Sequence, residues 1–400
     1  MDPLISVVIP THNRFKYARY AIQSILSMDD SKLELVVHDT STDTSLKEWV
    51  LENTNDSRLS YYHVEEALSM TENHNRAVDI AKGEYICIIG DDDSVTEEIV
   101  DAASWAKRND VDALTPKMIA TYSWPDFRTK FFGDAHAGKM YIAKFTGKFS
   151  RAAPKKALRL CLNSGGQGTG TLPKVYHGIV KKSVLEKVKG HTGQYFWGVS
   201  PDMSGAIGIS RFLEKAFWID YPITVPGASG GSNTGRSALN NHKGSLDDDP
   251  HMVRFKDEYW PLEVPRFFSV ETVWAQAAYS TTLKLDDKSL LNSFNVAMLH
   301  AVCWNNHQDY AGLIKKNYSN YLSRENKGYV KGWVLFWRYV LKGRTDRVRY
   351  LIGRLVKPSA SGGKTVLPDN ETIAEAMVEF QKVQDISRSH FSKIVADASL

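Results

Sequence analysis

Three consecutive aspartates, Asp91–Asp93, follow the largely apolar run Glu84–Ile89 (EYICII), with only Gly90 between them. Adjacent carboxylates repel one another, so each favours contact with water or with a cation. Their hard oxygen atoms suit Mg²⁺ or Mn²⁺, and few protein ligands are needed where a bound diphosphate supplies the others. The alternative is a solvated turn that caps a helix beginning near Thr96. The triplet therefore predicts a divalent-cation site or a helix cap.

Two other polar clusters follow short apolar runs in the same way. The cluster 11–14 (THNR) follows Ile5–Pro10, and the cluster 39–43 (DTSTD) follows Leu33–Val37 after one histidine. If these runs are parallel strands, their carboxyl ends meet at one edge of a sheet, where such sheets bind ligands. This convergence favours a ligand site over a helix cap at the aspartate triplet. Arg14 would reach the phosphates of the ligand there or lie on the surface.

One further acid, Asp202, lies at a predicted helix start. Ser200, Pro201 and Asp202 have the pattern of such a start, with an N-cap, a proline and an acid in the first turn. The structural role of an acid at this position is to stabilise the helix dipole. The aromatic stretch 195–197 (YFW) precedes it.

The elements that must position these residues alternate over the first hundred residues. β-Branched apolar runs predict strands buried on both faces, and apolar positions three and four apart predict helices. A cap at Thr71 and a stop at Gly83 would bound the second helix. The predicted order is strand 5–10, helix 17–26, strand 33–37, strand 59–64, helix 71–81 and strand 84–89. This order predicts an α/β fold with a mainly parallel sheet.

The segments ISVVIPTHNR, LELVVHDTS and NHNRAVDIAKGEYICIIGDDD resemble the nucleotide-binding half of family 2 glycosyltransferases, which have the GT-A fold. The resemblance is specific over residues 5–99 and loose to about residue 236. It implies that Asp39 contacts the nucleotide base, that Asp91 lies near the ribose and that Asp92 binds a metal under the diphosphate.

The resemblance also assigns residues outside the aspartate triplet. The family often has another aspartate where this chain has Gly90, so metal binding could shift to Asp93. His242 follows the glycine-rich run 226–241, where related enzymes have a loop that closes over the donor and sometimes carries a histidine ligand. An interdomain linker is the alternative for this run. The other residues assigned to the nucleotide-sugar site are Thr11, Asn13, Arg14, Asn75 and Arg236.

In the family a carboxylate before a helix takes the proton of the acceptor, and this role falls on Asp202. Pro201 replaces the acid that often precedes it. The resemblance thus implies a metal-dependent inverting glycosyltransferase that moves a sugar from a nucleotide sugar, expected to be a UDP-sugar. The acceptor would be a hydroxyl of a glycan or of a lipid-linked molecule in bacterial surface-polysaccharide biosynthesis.

Two other function classes remain as alternatives. A nucleotidyltransferase of related fold would need a glycine-rich loop after the first strand, and residues 11–14 contain no glycine. A non-catalytic carbohydrate-binding protein derived from the GT-A fold would not need its carboxylates, yet Asp39, the aspartate triplet and Asp202 are all present.

The composition is that of an ordinary folded chain. Of its 400 residues, 42% are hydrophobic, and 50 basic against 46 acidic side chains give a net charge of +4. This charge is too small to predict nucleic-acid binding, and the three cysteines lack metal-site spacing. The N-terminus lacks a signal-peptide pattern, and no apolar run reaches about 18 residues. We therefore expect a cytoplasmic protein that is at most peripheral on the inner face of the cell membrane.

The chain is expected to divide into a GT-A domain 1–235, a flexible active-site loop 236–255 and a helical region 256–400. The helical region is a candidate for holding the acceptor or for homo-oligomer contacts. Within it, the segment 327–357 contains nine basic residues and one acid, with apolar residues at helical spacing. Such a segment is typical of a helix lying on an anionic membrane, although Gly343 could divide it into two helices. The alternative is a helix packed on the enzyme domain with solvated charges.

Overall fold

The computed structural model describes residues 2–239, 243–247, 249, 252–255, 258–326, 328–356, 363–383 and 388–398. The strands are β1 Ile5–Thr11, β2 Leu33–Asp39, β3 Leu59–His63, β4 Tyr85–Ile88, β5 Ser94–Val95, β6 Ala113–Pro116, β7 Ala120–Ser123, β8 Lys139–Ile142, β9 Phe149–Arg151, β10 Ile179–Lys181, β11 Ala216–Ile219, β12 Thr224–Val225, β13 Gly227–Ala228, β14 Lys243–Gly244, β15 Phe268–Ser269 and β16 Thr365–Leu367. The helices are α1 Phe15–Leu26, α2 Ser45–Asn53, α3 Met70–Ile80, α4 Glu98–Arg108, α5 Pro154–Asn163, α6 Lys182–Thr192, α7 Pro201–Phe212, α8 Asn233–Ala238, α9 Val270–Lys284, α10 Lys288–Asn292, α11 Val296–Asn306, α12 Ala311–Arg324, α13 Tyr329–Val356, α14 Ile373–Gln381 and α15 Arg388–Asp397. Short 3₁₀ helices lie at Val253–Phe255 and Gln308–Tyr310.

The largest sheet has the strand order β3-β2-β1-β4-β10-β6-β11-β9. β9 and β10 run antiparallel to their neighbours, and the other six strands run in one direction. In the centre, Val7 of β1 pairs with Leu35 of β2 and with Cys87 of β4. These central strands are buried on both faces, which explains their continuous apolar sequence. The predicted α/β fold with a mainly parallel sheet is confirmed.

Helices cover both faces of this sheet. Val7 and Leu35 pack in the core that α1 and α4 complete on one face. Val8 and Val36 pack in a second core, with α3 and α6, on the other face. All four side chains are fully buried. Because the strands are held from both sides, the carboxyl ends of β1, β2 and β4 form a fixed edge on which a site can be built.

Helix α2 lies between β2 and β3, where the sequence analysis had no element. Its buried apolar side chains are only Leu46 and Val50, a single pair at a spacing of four residues. The remaining positions are mostly polar or exposed, so the periodic signal in the sequence is weak. With α2 included, strands and helices alternate strictly from β1 to β4.

The start of α3 also differs from the prediction. The cap is Ser69 rather than Thr71: the Ser69 hydroxyl accepts a hydrogen bond from the Glu72 amide, and the Glu72 carboxylate accepts one from the Ser69 amide. This reciprocal pair satisfies two amide donors at the helix start. The Thr71 hydroxyl instead donates to the Gly198 carbonyl and ties α3 to the loop before α7.

The C-terminal part divides between two places. Helices α9–α12 and the first half of α13 pack around a core of their own, together with α5 and α7. Beyond α13 the chain returns to the N-terminal domain, because β16 pairs with β8, α14 packs against α1 and α15 packs against α4. The expected helical region 256–400 is therefore not one structural unit. The domain boundary predicted within 236–255 contains residues outside the described ranges.

Helix α13 is continuous through Gly343, so the division into two shorter helices does not occur. Among the helices of the described residues, none combines the length and apolarity that crossing a membrane requires.

Gly83 provides a test of the packing that fixes β1. α3 already ends at Ile80, so Gly83 does not stop it; instead, a Cβ at Gly83 would lie 2.4 Å from the Ser6 nitrogen. Gly83→Ala should therefore lower the free energy of unfolding by about 1–3 kcal/mol through overpacking. Gly190→Ala is the matched control, since nothing lies within 4 Å of its Cβ position inside α6; it should stabilise by about 0.5–1 kcal/mol. Urea unfolding measures both, and equal effects would contradict this packing.

Candidate functional site

A cleft of 450 Å³ opens at the carboxyl ends of β1, β2 and β4. The start of α3, the start of α7 and the glycine-rich loop 226–239 complete its walls. This volume is within the range of small-molecule sites. The structure brings to this cleft five of the residues predicted from the sequence, which are Thr11, Arg14, Asp91, Asp92 and Asp202.

Arg14 is the counter-charge of the aspartate triplet. Its Nε donates to Asp91 Oδ1 at 2.9 Å, and its Nη2 donates to Asp92 Oδ2 at 3.1 Å. The Thr11 hydroxyl donates to the other oxygen of Asp91 at 2.7 Å. Burial opposes the charged guanidinium, but the two carboxylates outweigh it and raise the pKa of Arg14. Arg14 is thus a permanent cation in the cleft, held within reach of any phosphate bound there.

Asp93 is bound by the protein on all sides and does not line the cleft. One carboxylate oxygen accepts hydrogen bonds from the Gly90 amide (2.6 Å), the Tyr176 hydroxyl (3.0 Å) and His177 Nε2 (3.0 Å). The other accepts from the Gly227 amide at 2.6 Å. Burial opposes ionisation, but His177 and the two amides outweigh it and lower the pKa of Asp93. These contacts hold Asp93 within the protein and outside the lining of the cleft.

Of the three aspartates in the triplet, Asp92 is the one whose negative charge is offset least by neighbouring donors and cations. It is 6% exposed and faces the cleft. Burial and the negative charges of Asp93 and Asp91 raise its pKa to about 8, and Arg14 and a hydrogen bond from the Ser229 hydroxyl (2.5 Å) offset this only in part. A buried carboxylate of this kind gains from a further cation.

Asp92 can hold a divalent cation if other molecules supply most of the ligands of that cation. Within the described ranges, no group of three His, Cys, Asp or Glu side chains could hold a metal ion. Asp92 supplies a hard oxygen ligand, and the remaining ligands would come from a bound diphosphate and water. His242, the predicted histidine ligand, lies outside the described residues.

Asp202 lies in the first turn of α7 and lines the same cleft as Asp92. The surrounding protein excludes water and raises the pKa of Asp202 to about 6; the charges of His177 and Lys174 oppose this rise, and that of Asp93 adds to it. A carboxylate with this pKa is ionised at neutral pH, yet basic enough to accept a proton. The Ser200 hydroxyl, the predicted N-cap, makes no capping hydrogen bond.

Two predicted residues organise the loop beside the cleft instead of lining it. Asp39 is fully buried; one of its oxygens accepts from the Ser41 amide at 2.8 Å and the other from the Tyr61 hydroxyl at 2.7 Å. Asn13 has a positive φ of 54° and its side chain accepts from the Thr42 amide at 2.9 Å. Asn13 therefore joins the loops that follow β1 and β2, and Asp39 ties the loop after β2 to Tyr61 of β3.

Two further predicted residues are held away from the cleft. The Asn75 side chain bridges α3 to the loop before α7, because it donates to the Phe196 carbonyl at 3.1 Å and accepts from the Tyr195 amide at 2.9 Å. Arg236, on α8, donates to the Asp249 carboxylate at 2.5 Å. Neither lines the cleft.

The sequence analysis missed several residues that the fold brings to the cleft or to the triplet. Asn73 lines the cleft where Asn75 was predicted, and it donates to the Thr11 carbonyl at 3.1 Å. Asn73 and Asn75 lie about 200° apart around α3, so they point to opposite sides of the helix. Ser229 and Arg254 come from distant parts of the chain, and no local pattern marks them.

Comparison with known proteins identifies the N-terminal segment. Residues 6–147 match the family model described as Glycosyl transferase family 2. The chain is 34% identical to "Glycosyltransferase GlyG" of Streptococcus pneumoniae over 102 residues, which are 25% of this chain and 34% of GlyG. It is 32% identical over 220 residues to "GalNAc(5)-diNAcBac-PP-undecaprenol beta-1,3-glucosyltransferase" of Campylobacter jejuni, which covers 54% of this chain and 62% of that protein. The chain thus spans only part of each curated relative.

Among solved structures, the chain is similar to S. aureus TarS 1-349 in complex with UDP-GlcNAc. The TM-score is 0.45 and the sequence identity is 16%, and the match covers 81% of this chain and 93% of that chain.

The unequal environments of Asp92 and Asp93 predict opposite effects of the same substitution. The raised pKa of Asp92 means that the folded state binds this proton more tightly, so ionised Asp92 reduces stability as pH rises towards 8. Asp92→Asn should therefore unfold at the same or a higher urea concentration than the wild type at pH 8.5. Asp93→Asn should lose about 1–3 kcal/mol, because its buried partners lose a charged acceptor. Equal destabilisation by both substitutions would contradict these environments.

Proposed function

We propose that this chain is a metal-dependent inverting glycosyltransferase, since residues 6–147 match the family model described as Glycosyl transferase family 2. The proposed donor is a nucleotide sugar, specifically a UDP-sugar, and the acceptor is a hydroxyl of a glycan or of a lipid-linked molecule in polysaccharide biosynthesis. One observation carries this proposal: an incompletely neutralised carboxylate, Asp92, and a carboxylate with the basicity of a general base, Asp202, line one cleft.

The proposed diphosphate site lies beside Asp91 and Asp92, where Arg14 is already present. The guanidinium of Arg14 can turn from its carboxylate partners towards phosphate oxygens without leaving the cleft, and its planar donors match their geometry. A Mg²⁺ or Mn²⁺ ion bound at Asp92 would neutralise the charge that builds on the diphosphate as it departs. Asp91 would remain paired with the Thr11 hydroxyl.

Asp202 would act on the acceptor. As the acceptor oxygen attacks the anomeric carbon, its proton would pass to an Asp202 carboxylate oxygen, and the bond from the anomeric carbon to the diphosphate would break. Attack from the face opposite the diphosphate inverts the configuration at that carbon. The pKa of about 6 keeps Asp202 ionised before the step and able to hold the proton after it.

The glycine-rich loop 226–239 would exclude water during this step. Ser229 contacts both Asp92 and Arg14, and residues 231–234 line the cleft. A donor bound between them would contact this loop directly. Exclusion of water limits hydrolysis of the donor and strengthens the electrostatic interactions in the cleft.

The acceptor proposal also draws on the relative from Campylobacter jejuni. Its name describes transfer of glucose to an undecaprenol-linked saccharide, so it acts on a lipid-linked acceptor. We propose an acceptor of the same class for this chain, reached through peripheral contact with an anionic membrane.

Replacing Asp202 tests the proposed base. Asp202→Asn should bind a UDP-sugar normally but transfer sugar about 10²- to 10⁴-fold more slowly, since the amide cannot accept the proton. Release of UDP, compared with release of GDP or dTDP from their sugars, measures the transfer. Glu375→Gln is the control, because Glu375 is also a first-turn helix acid but lies on α14. Equal rates for both variants would mean that Asp202 only stabilises the start of α7 and does not act as the base.

The pH dependence tests the same assignment independently. Because Asp202 must be ionised to act, kcat/KM for the acceptor, measured with saturating donor and Mn²⁺ so that Asp92 stays ionised at the cation, should be constant above about pH 6 and fall tenfold per unit below it. In Asp202→Asn this acid limb should disappear from the residual activity. An acid limb that persists in the variant would assign it to another group.

A further inference from the structure

Helix α13 has two apolar faces, and among the residues that the structure describes only one of these faces is packed against the protein. Phe336 and Val340 are buried against the core formed with α11 and α12. A second set of apolar side chains points outwards, with exposed fractions between 41% and 75%. This outward stripe consists of Val330, Val334, Trp337, Leu341 and Val348. At about 100° per residue, its members fall within about 60° of one another around the helix. The stripe therefore extends over five turns, with Arg344 and Thr345 in the interval between Leu341 and Val348.

Basic side chains border the outward stripe on both sides. Four of them form a row about 90° from its centre on the same helix. This row consists of Lys331, Arg338, Lys342 and Arg349, all exposed. Arg344 and Arg347 are exposed on the other border. Over residues 328–349 the single acid is Asp346, whose carboxylate lies 3.7 Å from the Arg349 guanidinium.

The charge pattern determines which occupant fits this surface. A second copy of the chain, docked by twofold symmetry, would bring two sets of six basic residues together with only one acid in each copy. An anionic lipid surface presents the opposite charge along the whole stripe. Its headgroups lie beside an apolar layer that accepts valine, leucine and tryptophan side chains.

We propose that α13 lies along an anionic lipid bilayer, with the outward stripe in the boundary between headgroups and acyl chains. The basic rows contact the lipid phosphates. This membrane contact would hold the cleft beside a lipid-linked acceptor. In that role it rests on the proposed function. The binding itself needs neither donor nor acceptor.

Flotation of the full-length chain with lipid vesicles tests this proposal. Vesicles of phosphatidylcholine alone should leave the protein unbound at moderate salt, and vesicles that also contain phosphatidylglycerol should bind it. Binding should weaken as salt rises, because exposed charges are screened. Equal binding to both kinds of vesicle, or to neither, would overturn the proposal.

Two matched pairs of variants locate the surface. The triple variant R338Q/K342Q/R349Q should bind roughly 100-fold more weakly, at about fivefold for each basic residue removed. K155Q/K156Q/R159Q removes the same charge from exposed positions on α5 and should bind like the wild type. Val334→Ser with Leu341→Ser should weaken binding at least about tenfold, and Leu51→Ser, at a position 75% exposed on α2, should not.

The remaining outcomes distinguish a membrane surface on α13 from a contact between copies of the chain. Circular dichroism first establishes that the variants fold. If the charge variant binds like its α5 control, α13 is not the membrane surface. If the wild type forms a dimer that Val334→Ser with Leu341→Ser dissolves, and vesicles bind neither, the stripe is a contact between copies. A chain that binds vesicles without transferring sugar would contradict the proposed function alone, and one that transfers sugar without binding would contradict this inference alone.

Discussion

The site depends on the repulsion between three adjacent carboxylates at the end of β4. The fold resolves this repulsion unequally. Asp93 receives two backbone amides, a tyrosine and a histidine, and Asp91 receives Arg14 and a threonine hydroxyl. Asp92 shares Arg14 and accepts one serine hydroxyl, so its pKa rises to about 8. The negative charge that the protein neutralises least is therefore on Asp92, which faces the cleft. A cation that binds there together with a diphosphate would stabilise this charge.

The same hydrogen bonds position the glycine-rich loop 226–239. Asp93 binds the Gly227 amide and Asp92 binds the Ser229 hydroxyl, so the two carboxylates hold the start of this loop against the end of β4. Arg14 also donates to Ser229, at 2.6 Å. A ligand that changes the partners of Asp92 or Arg14 therefore also changes the contacts of the loop. In the proposed function, donor binding and exclusion of water would be coupled through Asp92, Arg14 and Ser229.

The sequence predicts the sheet, the aspartate triplet and Asp202, because these depend on local patterns: buried parallel strands are continuously apolar, and a helix start has its own residue preferences. It misses what depends on tertiary contacts. Helix α2 buries too few residues to show a period. Asn73 rather than Asn75 lines the cleft because the packing of α3 turns Asn73 towards Thr11 of β1 and Asn75 towards the loop before α7. Ser229 is about 140 residues from Asp92 along the chain, and only the folded loop brings them together. On α13 the sequence shows one apolar side, whereas packing divides it into a buried face and the outward stripe.

The most direct test of the account is calorimetric titration of UDP, with and without Mn²⁺, into the wild type, Asp92→Asn and Asp43→Asn. Asp43 is an exposed acid in the neighbouring loop after β2 and serves as the control. The account predicts that Mn²⁺ raises the affinity of the wild type and of Asp43→Asn for UDP, and that Asp92→Asn retains only the cation-independent affinity that Arg14 supplies. An equal increase in affinity with Mn²⁺ in Asp92→Asn, or no increase in the wild type, would contradict the claim that Asp92 forms the cation-assisted diphosphate site.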